Sequence, residues 1–418
     1  MVDDAAMADA LQRRLGLTDS VLIGLGSMIG AGIFAALAPA AGAAGSWLLP
    51  ALAVAALLAY CNATSSARLA ARYPVSGGTY VYGRERLGAF WGYLAGWGFV
   101  TGKTASCAAM ALTAGSYAWP EQSRAVAVAV VVVITAINYT GVQKSALATR
   151  LIVAAVLAVL ALVVAVGLFG THSAATALPD RIGPRAVLQA AGLLFFAFAG
   201  YARIATLGEE VREPRRTIPR AIMVALGLAL AVYALVAVAA LEVLGSAGLA
   251  RATDPLAMVV SAAGAPGSAP LVRIGAVLAA AGSLLALILG VSRTALAMAR
   301  DRYLPGALAA VHPRFGVPHR AELAVGAVVA VVAGTFDLRA AIGFSSFTVL
   351  VYYLIANVSA ATLTLEEDRP ARWVPIVGAA GCVIVGLSLP IGSVLTGLAV
   401  LAIGAVFHVR RLRRRPRR

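Results

Sequence analysis

Apolar runs near or above 18 residues recur along the whole chain, broken by short polar stretches rich in arginine. Each run is long enough to cross a hydrocarbon core of about 30 Å as a helix. Strand-like alternation of apolar and polar positions is absent, which argues against a membrane barrel. The pattern predicts twelve spans, at 19–43, 46–68, 87–117, 124–140, 147–170, 186–207, 219–243, 271–299, 321–336, 339–362, 372–388 and 390–408. No soluble domain is inserted. The longest stretches outside the spans are 244–270, rich in Gly, Ala and Pro, and 300–320. The motif QRRLGLT precedes the first run, but that run is too long for the h-region of a signal peptide and reads as an uncleaved span.

Composition agrees: 61% of residues are hydrophobic and 12% charged, where a soluble domain holds roughly 45–50% and about 25%. The chain reads as an all-α integral membrane protein. Its net charge of +16 would suggest nucleic acid, but the distribution excludes that partner. One alternate set of loops holds Arg13, Arg14, Arg68, Arg72, Arg84, Arg86, Lys144, Arg150, Arg212, Arg215, Arg216, Arg220, Arg300, Arg302, Arg314, Arg320, Arg369 and Arg372. The other set holds only Arg124, Arg181, Arg185, Arg251, Arg273 and Arg339. Positive loops face the cytoplasm, so an even number of spans with both termini cytoplasmic is expected. The basic tail, 409–418, is expected to rest on anionic lipid head groups of the cytoplasmic membrane.

Glycine is placed where a membrane helix should be strongest. The first span contains GLGSMIGAGIF, Gly24 to Phe34, and each helical glycine costs about 1 kcal/mol relative to alanine. Two readings compete. Gly26 and Gly30 form a G-x-x-x-G that would let two membrane helices approach. Alternatively the helix is discontinuous, with unwound backbone that survives only where it lines a cavity and a half-helix N-terminus aimed at an anion such as a carboxylate. Such breaks come in pairs. The sixth span supplies a second, LLFFAFAGYARIATLGEE, with Gly200 at its middle. The two are five spans apart, as a five-plus-five inverted repeat requires. Spans 1–5 (19–170) and 6–10 (186–362) would be the repeats, after an N-terminal segment 1–18, with spans 11 and 12 (372–408) appended.

Three cations fall inside spans: Lys103, Arg203 and Arg293. No acid is expected near the middle of a span; Asp19, Glu242 and Asp337 sit at span ends. Lys103 either snorkels to an interface or titrates and couples transport to a proton gradient, a fixed cation in place of a bound sodium ion being the weaker version. Arg203 would bind a substrate carboxylate or pair with Glu210. Arg293 is assigned a structural role at a helix end. Cys61, Cys107 and Cys382 are packing residues, and His172, His312, His319 and His408 form no metal ligand set. No phosphate loop or nucleophile arrangement is present, so no cofactor and no catalytic residue is assigned.

Four motifs carry a family resemblance. They are GSMIGAGIF in span 1, FFAFAGYA in span 6, GEEVREPRRTIPRAI at 208–222 and SRTALAMARDRYLP at 292–305. In this order, over nearly the whole chain, the sequence resembles the amino acid–polyamine–organocation permeases. The resemblance implies the inverted-repeat fold, discontinuous helices 1 and 6, amino acids or related amines as substrates, and alternating access. By match, the backbone of Ser27, Met28, Ile29, Gly30, Ala31 and Gly32 would hold the substrate carboxylate. The carbonyls around Phe198, Ala199, Gly200 and Tyr201 would hold its ammonium, with Phe196 as an aromatic gate. Two departures stand out. Ala202 and then Arg203 follow span 6's glycine–aromatic pair where many members carry an acid, and span 5 has no interior lysine where some proton-coupled members have one. The resemblance therefore does not supply a proton role for Lys103, which rests on its depth in span 3 alone. A proton-coupled symporter for neutral amino acids is expected, with Lys103 and Arg203 as charge-bearing candidates. An exchanger, a permease for a related organic amine or other solute, a channel and a non-transporting sensor are the alternatives.

Overall fold

The computed structural model describes residues 15–74, 77–141, 146–171, 183–207 and 210–413. Arg13, Arg14, Lys144, Arg181, His172, Gly208, Glu209 and the tail beyond Arg413 lie outside these. The first half contains α1 (Leu17–Met28), α2 (Gly32–Ala44), α3 (Leu48–Arg72), α4 (Thr79–Leu87), α5 (Ala89–Ala118), α6 (Ser123–Tyr139) and α7 (Ala146–Phe169). The second contains α8 (Pro184–Phe198), α9 (Ala202–Ala205), α10 (Pro214–Arg251), α11 (Pro255–Ala262), α12 (Ala269–Arg300), α13 (His319–Thr335) and α14 (Leu338–Ala361). Two more, α15 (Trp373–Ser388) and α16 (Ile391–Arg413), complete the chain.

Every predicted span has a helix, and the first and sixth are each split in two. Eight stretches among the described residues are long and apolar enough to cross a membrane. The remaining predicted spans are shorter, merged with a neighbour, or diluted by polar residues, as α5 is by Lys103 and its Gly, Ser and Thr. Two helices lie outside the predicted spans. One is α4, entered through Gly78 and closed by Gly88, whose φ of 103° favours glycine. The other is α11, inside the Gly/Ala/Pro stretch, with Pro255 at its first turn where the missing N–H costs nothing.

Packing crosses between the halves. The helix α2 packs on α8, α3 on α10, α5 on α12 and α6 on α13. Beyond the spans, the main chain just before α1 pairs with the loop after α9. Leu15 N–H donates to Glu210 O at 3.0 Å, and Arg212 N–H donates to Leu15 O at 2.9 Å.

The face with the arginine-rich loops is laced by ion pairs. Arg68 pairs with Asp368, Arg72 and Arg86 with Glu367, Arg84 with Asp301, and Arg150 with Asp19. Tyr80 donates to Asp301; burial pushes its phenol up, and the carboxylate beside it adds to the rise. The opposite face is closed by side chains. Tyr117, near the end of α5, donates to Phe34 O at 3.4 Å and accepts from Leu256 N–H at 3.2 Å, while Arg273 clasps the buried Asp254 at 2.8 Å.

Candidate functional site

The first break is short and bare. Ile29 N–H makes the last regular bond of α1, to Leu25 O at 2.7 Å, and α2 starts afresh at Gly32. The first amides of α2 therefore have no acceptor within their own helix. Ser27 Oγ donates back to Ile23 O at 2.9 Å. Ser283 from α12 fills the space beside Gly30 and donates to Gly26 O at 3.2 Å.

The second break is a single tight turn. After Phe198 the chain makes one 3₁₀ turn, Ala199–Tyr201, before the four-residue α9. The two breaks touch backbone to backbone, and glycine makes this possible. A β-carbon on Gly200 would fall 2.6 Å from Met28 N, and one on Gly32 would fall 2.6 Å from Ala197 Cα. Both distances are prohibitive, because main chain cannot give way as a flexible side chain can. From α10, the Tyr233 hydroxyl stands 2.6 Å from Met28 O and 3.0 Å from Ala197 O. It has one proton for two acceptors, so it ties both breaks together. Phe198 packs on Tyr233 with ring centroids 5.0 Å apart, and Tyr201 on Tyr353 at 5.2 Å.

A cavity of about 390 Å³ reaches from Phe196, Lys103 and Ala199 past Arg203 to Tyr80 and Asp301 on the arginine-rich face. A second, of about 420 Å³, runs along the other side of α1 from Ile29 and Gly30 to Arg150. Ser27, Arg203, Glu210, Ser283 and Arg293 line both. Both cavities run to the arginine-rich face, and Tyr117 meets Phe34 on the other side.

Lys103 does not snorkel. It is 7% exposed and donates from Nζ to Ala199 O at 3.4 Å. Arg203 donates to Thr206 Oγ1 at 3.3 Å, and among the described residues it forms no ion pair with Glu210. Arg293, expected to be structural, stands on the wall of both cavities.

Of the predicted site residues, Ser27, Ile29, Gly30, Phe196, Ala199, Gly200, Lys103 and Arg203 line the cavities. Met28, Ala31, Gly32, Phe198 and Tyr201 stand behind them, where Met28 offers its carbonyl to Tyr233 and the two rings pack into the core. Sequence reasoning missed Tyr233 and Ser283, which no motif marks. It also missed Glu322, in the first turn of α13, which is fully buried with neither carboxylate oxygen hydrogen-bonded among the described residues. Among the described residues no cluster of His, Cys, Asp and Glu is suited to a metal ion.

The family model for amino acid permeases matches residues 15–409. An uncharacterized transporter of Mycobacterium tuberculosis is 68% identical over 98% of this chain and 94% of its own length. The branched-chain amino acid permease of Bacillus subtilis is 27% identical over 96% of this chain and 93% of its own. Human cationic amino acid transporter 4 is 27% identical over 88% of this chain and 62% of its own.

Proposed function

The chain belongs to the amino acid permease family, and from that premise we propose that it is a secondary transporter moving neutral amino acids across the cytoplasmic membrane by alternating access. The observation that carries this reading is the contact of two broken helices at the head of a cavity. The amides at the start of α2, which have no acceptor within their own helix, suit a carboxylate, and the carbonyls of the 3₁₀ turn suit an ammonium. A zwitterion needs both at once, and no charged side chain need be dedicated to it.

Relatives named for branched-chain and for cationic amino acids leave the side chain open. Arg84, Lys103, Arg203 and Arg293 outnumber Glu210 and Asp301 on the cavity wall, and like charges with little water to screen them repel. This favours a neutral side chain over a cationic one. The cross-packing of α2 with α8, α3 with α10, α5 with α12 and α6 with α13 supports twelve spans in two inverted repeats. The arginine-rich face, toward which both cavities run, is assigned to the cytoplasm with both termini, and the basic tail to anionic lipid. Phe196, on the cavity wall, is assigned the gate. Coupling is assigned to a proton on Lys103: Lys103→Ala should abolish the pH dependence of uptake, and pH-dependent uptake in that variant would refute the assignment.

The primary test is a thermal-shift panel of amino acids, polyamines and nucleobases on purified protein, at two pH values and with or without sodium. A ligand that binds only the folded state raises the melting temperature by mass action. Stabilisation by a small set of neutral amino acids, sensitive to pH and indifferent to sodium, is expected. Stabilisation by an amine or base alone would overturn the substrate class.

A further inference from the structure

Lys103 already occupies one of the acceptors that the second break provides. Its Nζ lies 3.4 Å from Ala199 O, and its side chain is buried except where Ser27, Phe196 and Gly200 share the cavity with it. Ala199 lines the cavity where α8 gives way to a 3₁₀ turn. The contact itself demonstrates that an ammonium group fits there.

We propose that Lys103 is a resident occupant of the ammonium position, so that the substrate's ammonium and the lysine's proton exclude one another. This rests on the amino acid reading above and goes beyond it by fixing the sign of coupling. Protonated Lys103 holds Ala199 O. When the zwitterion arrives, the proton leaves Nζ for water through the cavity, the neutral amine withdraws, and the substrate's ammonium takes the carbonyl. Charge balances: one zwitterion bound, one proton released. Two ammonium groups on one carbonyl are disfavoured because the site has little water to screen them.

Other groups could supply or absorb that proton. Cys107 lies one turn along the same helix. Tyr80 and Arg84 of α4, Arg203 and Glu210 after the second break, Arg293 and Asp301 of α12 and its end, and Tyr352 of α14 share the cavity. Asp301 is engaged by Tyr80 and Arg84, and among the described residues no carboxylate pairs with Lys103. The empty carrier therefore carries the proton and the loaded carrier does not. That makes transport an exchange of one amino acid for one proton, in place of the symport the sequence suggested, and an inward proton gradient would drive the amino acid outward.

The test is calorimetric titration of the full-length protein with L-leucine, L-alanine and L-phenylalanine, each beside the 2-oxo acid of the same side chain. Repeating it in buffers of different ionisation enthalpy counts protons. At mildly acidic pH the wild type should release one proton per amino acid bound, and affinity should rise roughly tenfold per pH unit. The 2-oxo acids, which lack an ammonium, should bind without release. Lys103→Met and Lys103→Gln should bind amino acids with pH-independent affinity and no release. Binding without proton release, or release that survives in both variants, overturns this proposal and leaves the transporter reading standing. Failure of every amino acid to bind wild type and variants alike overturns both. The wild-type proton count decides the matter even where a variant does not fold.

Discussion

The first and sixth spans are interrupted alike and finished differently. At the first, Ile29–Ala31 lie between two half-helices, and the neighbours are small: Gly26, Gly30, Gly32, Ser27 and Ser283. At the sixth, the gap is a tight turn among rings, Phe196, Phe198, Tyr201, Tyr233 and Tyr353, with an ammonium on its carbonyl. One break is kept bare and offers donors; the other is kept filled and offers acceptors. The difference teaches how one apolar scaffold can interrupt two helices by opposite means. Small residues let the two backbones meet, and large ones pack around the turn.

The contrast breaks most severely where the two backbones touch. Gly200→Val places side-chain carbons against Met28 and the main chain behind it, at an overpacking cost of about 1–3 kcal/mol. It should lose all ligand-induced thermal stabilisation along with several degrees of melting temperature. Gly32→Ala, facing Ala197, should follow in the same direction. Gly290 also lines the cavity, but its β-carbon would meet nothing within 4 Å. Gly290→Ala is therefore the control and should match wild type or exceed it slightly.

Tyr233→Phe tests what joins the breaks. Removing the shared hydroxyl leaves two buried carbonyls short of a donor, and about 1–3 kcal/mol of unfolding free energy should be lost, read by denaturation in detergent. A variant of wild-type stability would mean that the breaks are held by packing alone.

A smaller effect is expected from the sealed face. Tyr117→Phe removes contacts to Phe34 and Leu256 worth about 1 kcal/mol. A cysteine introduced as Ala31→Cys should then react roughly fivefold faster with a membrane-impermeant thiol reagent from that side. The native cysteines are buried. An unchanged rate would place the seal elsewhere.

The smallest effect lies far from both breaks. Arg86, then the Thr364 N–H and Arg72, hold the Glu367 carboxyl at about 2, against an ordinary 4.5. A depressed acid stabilises the fold above its unfolded value and loses that contribution as pH falls from 4.5 towards about 2. Glu367→Gln should flatten acid unfolding over that window, change little at neutral pH because the pairs are partly exposed, and leave ligand binding intact.

Much of this was legible because membrane helices and their interruptions are both written locally. Hydrophobic run length located the helices, and glycine clusters located the two breaks to within a few residues. The short helices α4 and α11 were not legible, since a half-buried loop helix has neither the length nor the apolarity of a span. Partners were the other loss. Nothing near Lys103 in sequence points to Ala199, and Tyr233 looks like any aromatic in an apolar helix. Arg203 and Glu210 share a helical face only if the helix continues, and it ends at Ala205. Glu322 was hidden by position: at the start of a span it reads as a solvated end, yet the fold buries it completely.

The pairing of Leu15 with Glu210 and Arg212 has a mechanical meaning. It lashes the strand of chain leading into the first broken helix to the strand leaving the sixth, on the side to which the cavities open. For either half-helix to swing by itself, both of those bonds would have to break, so the two are tethered like leaves on one hinge pin.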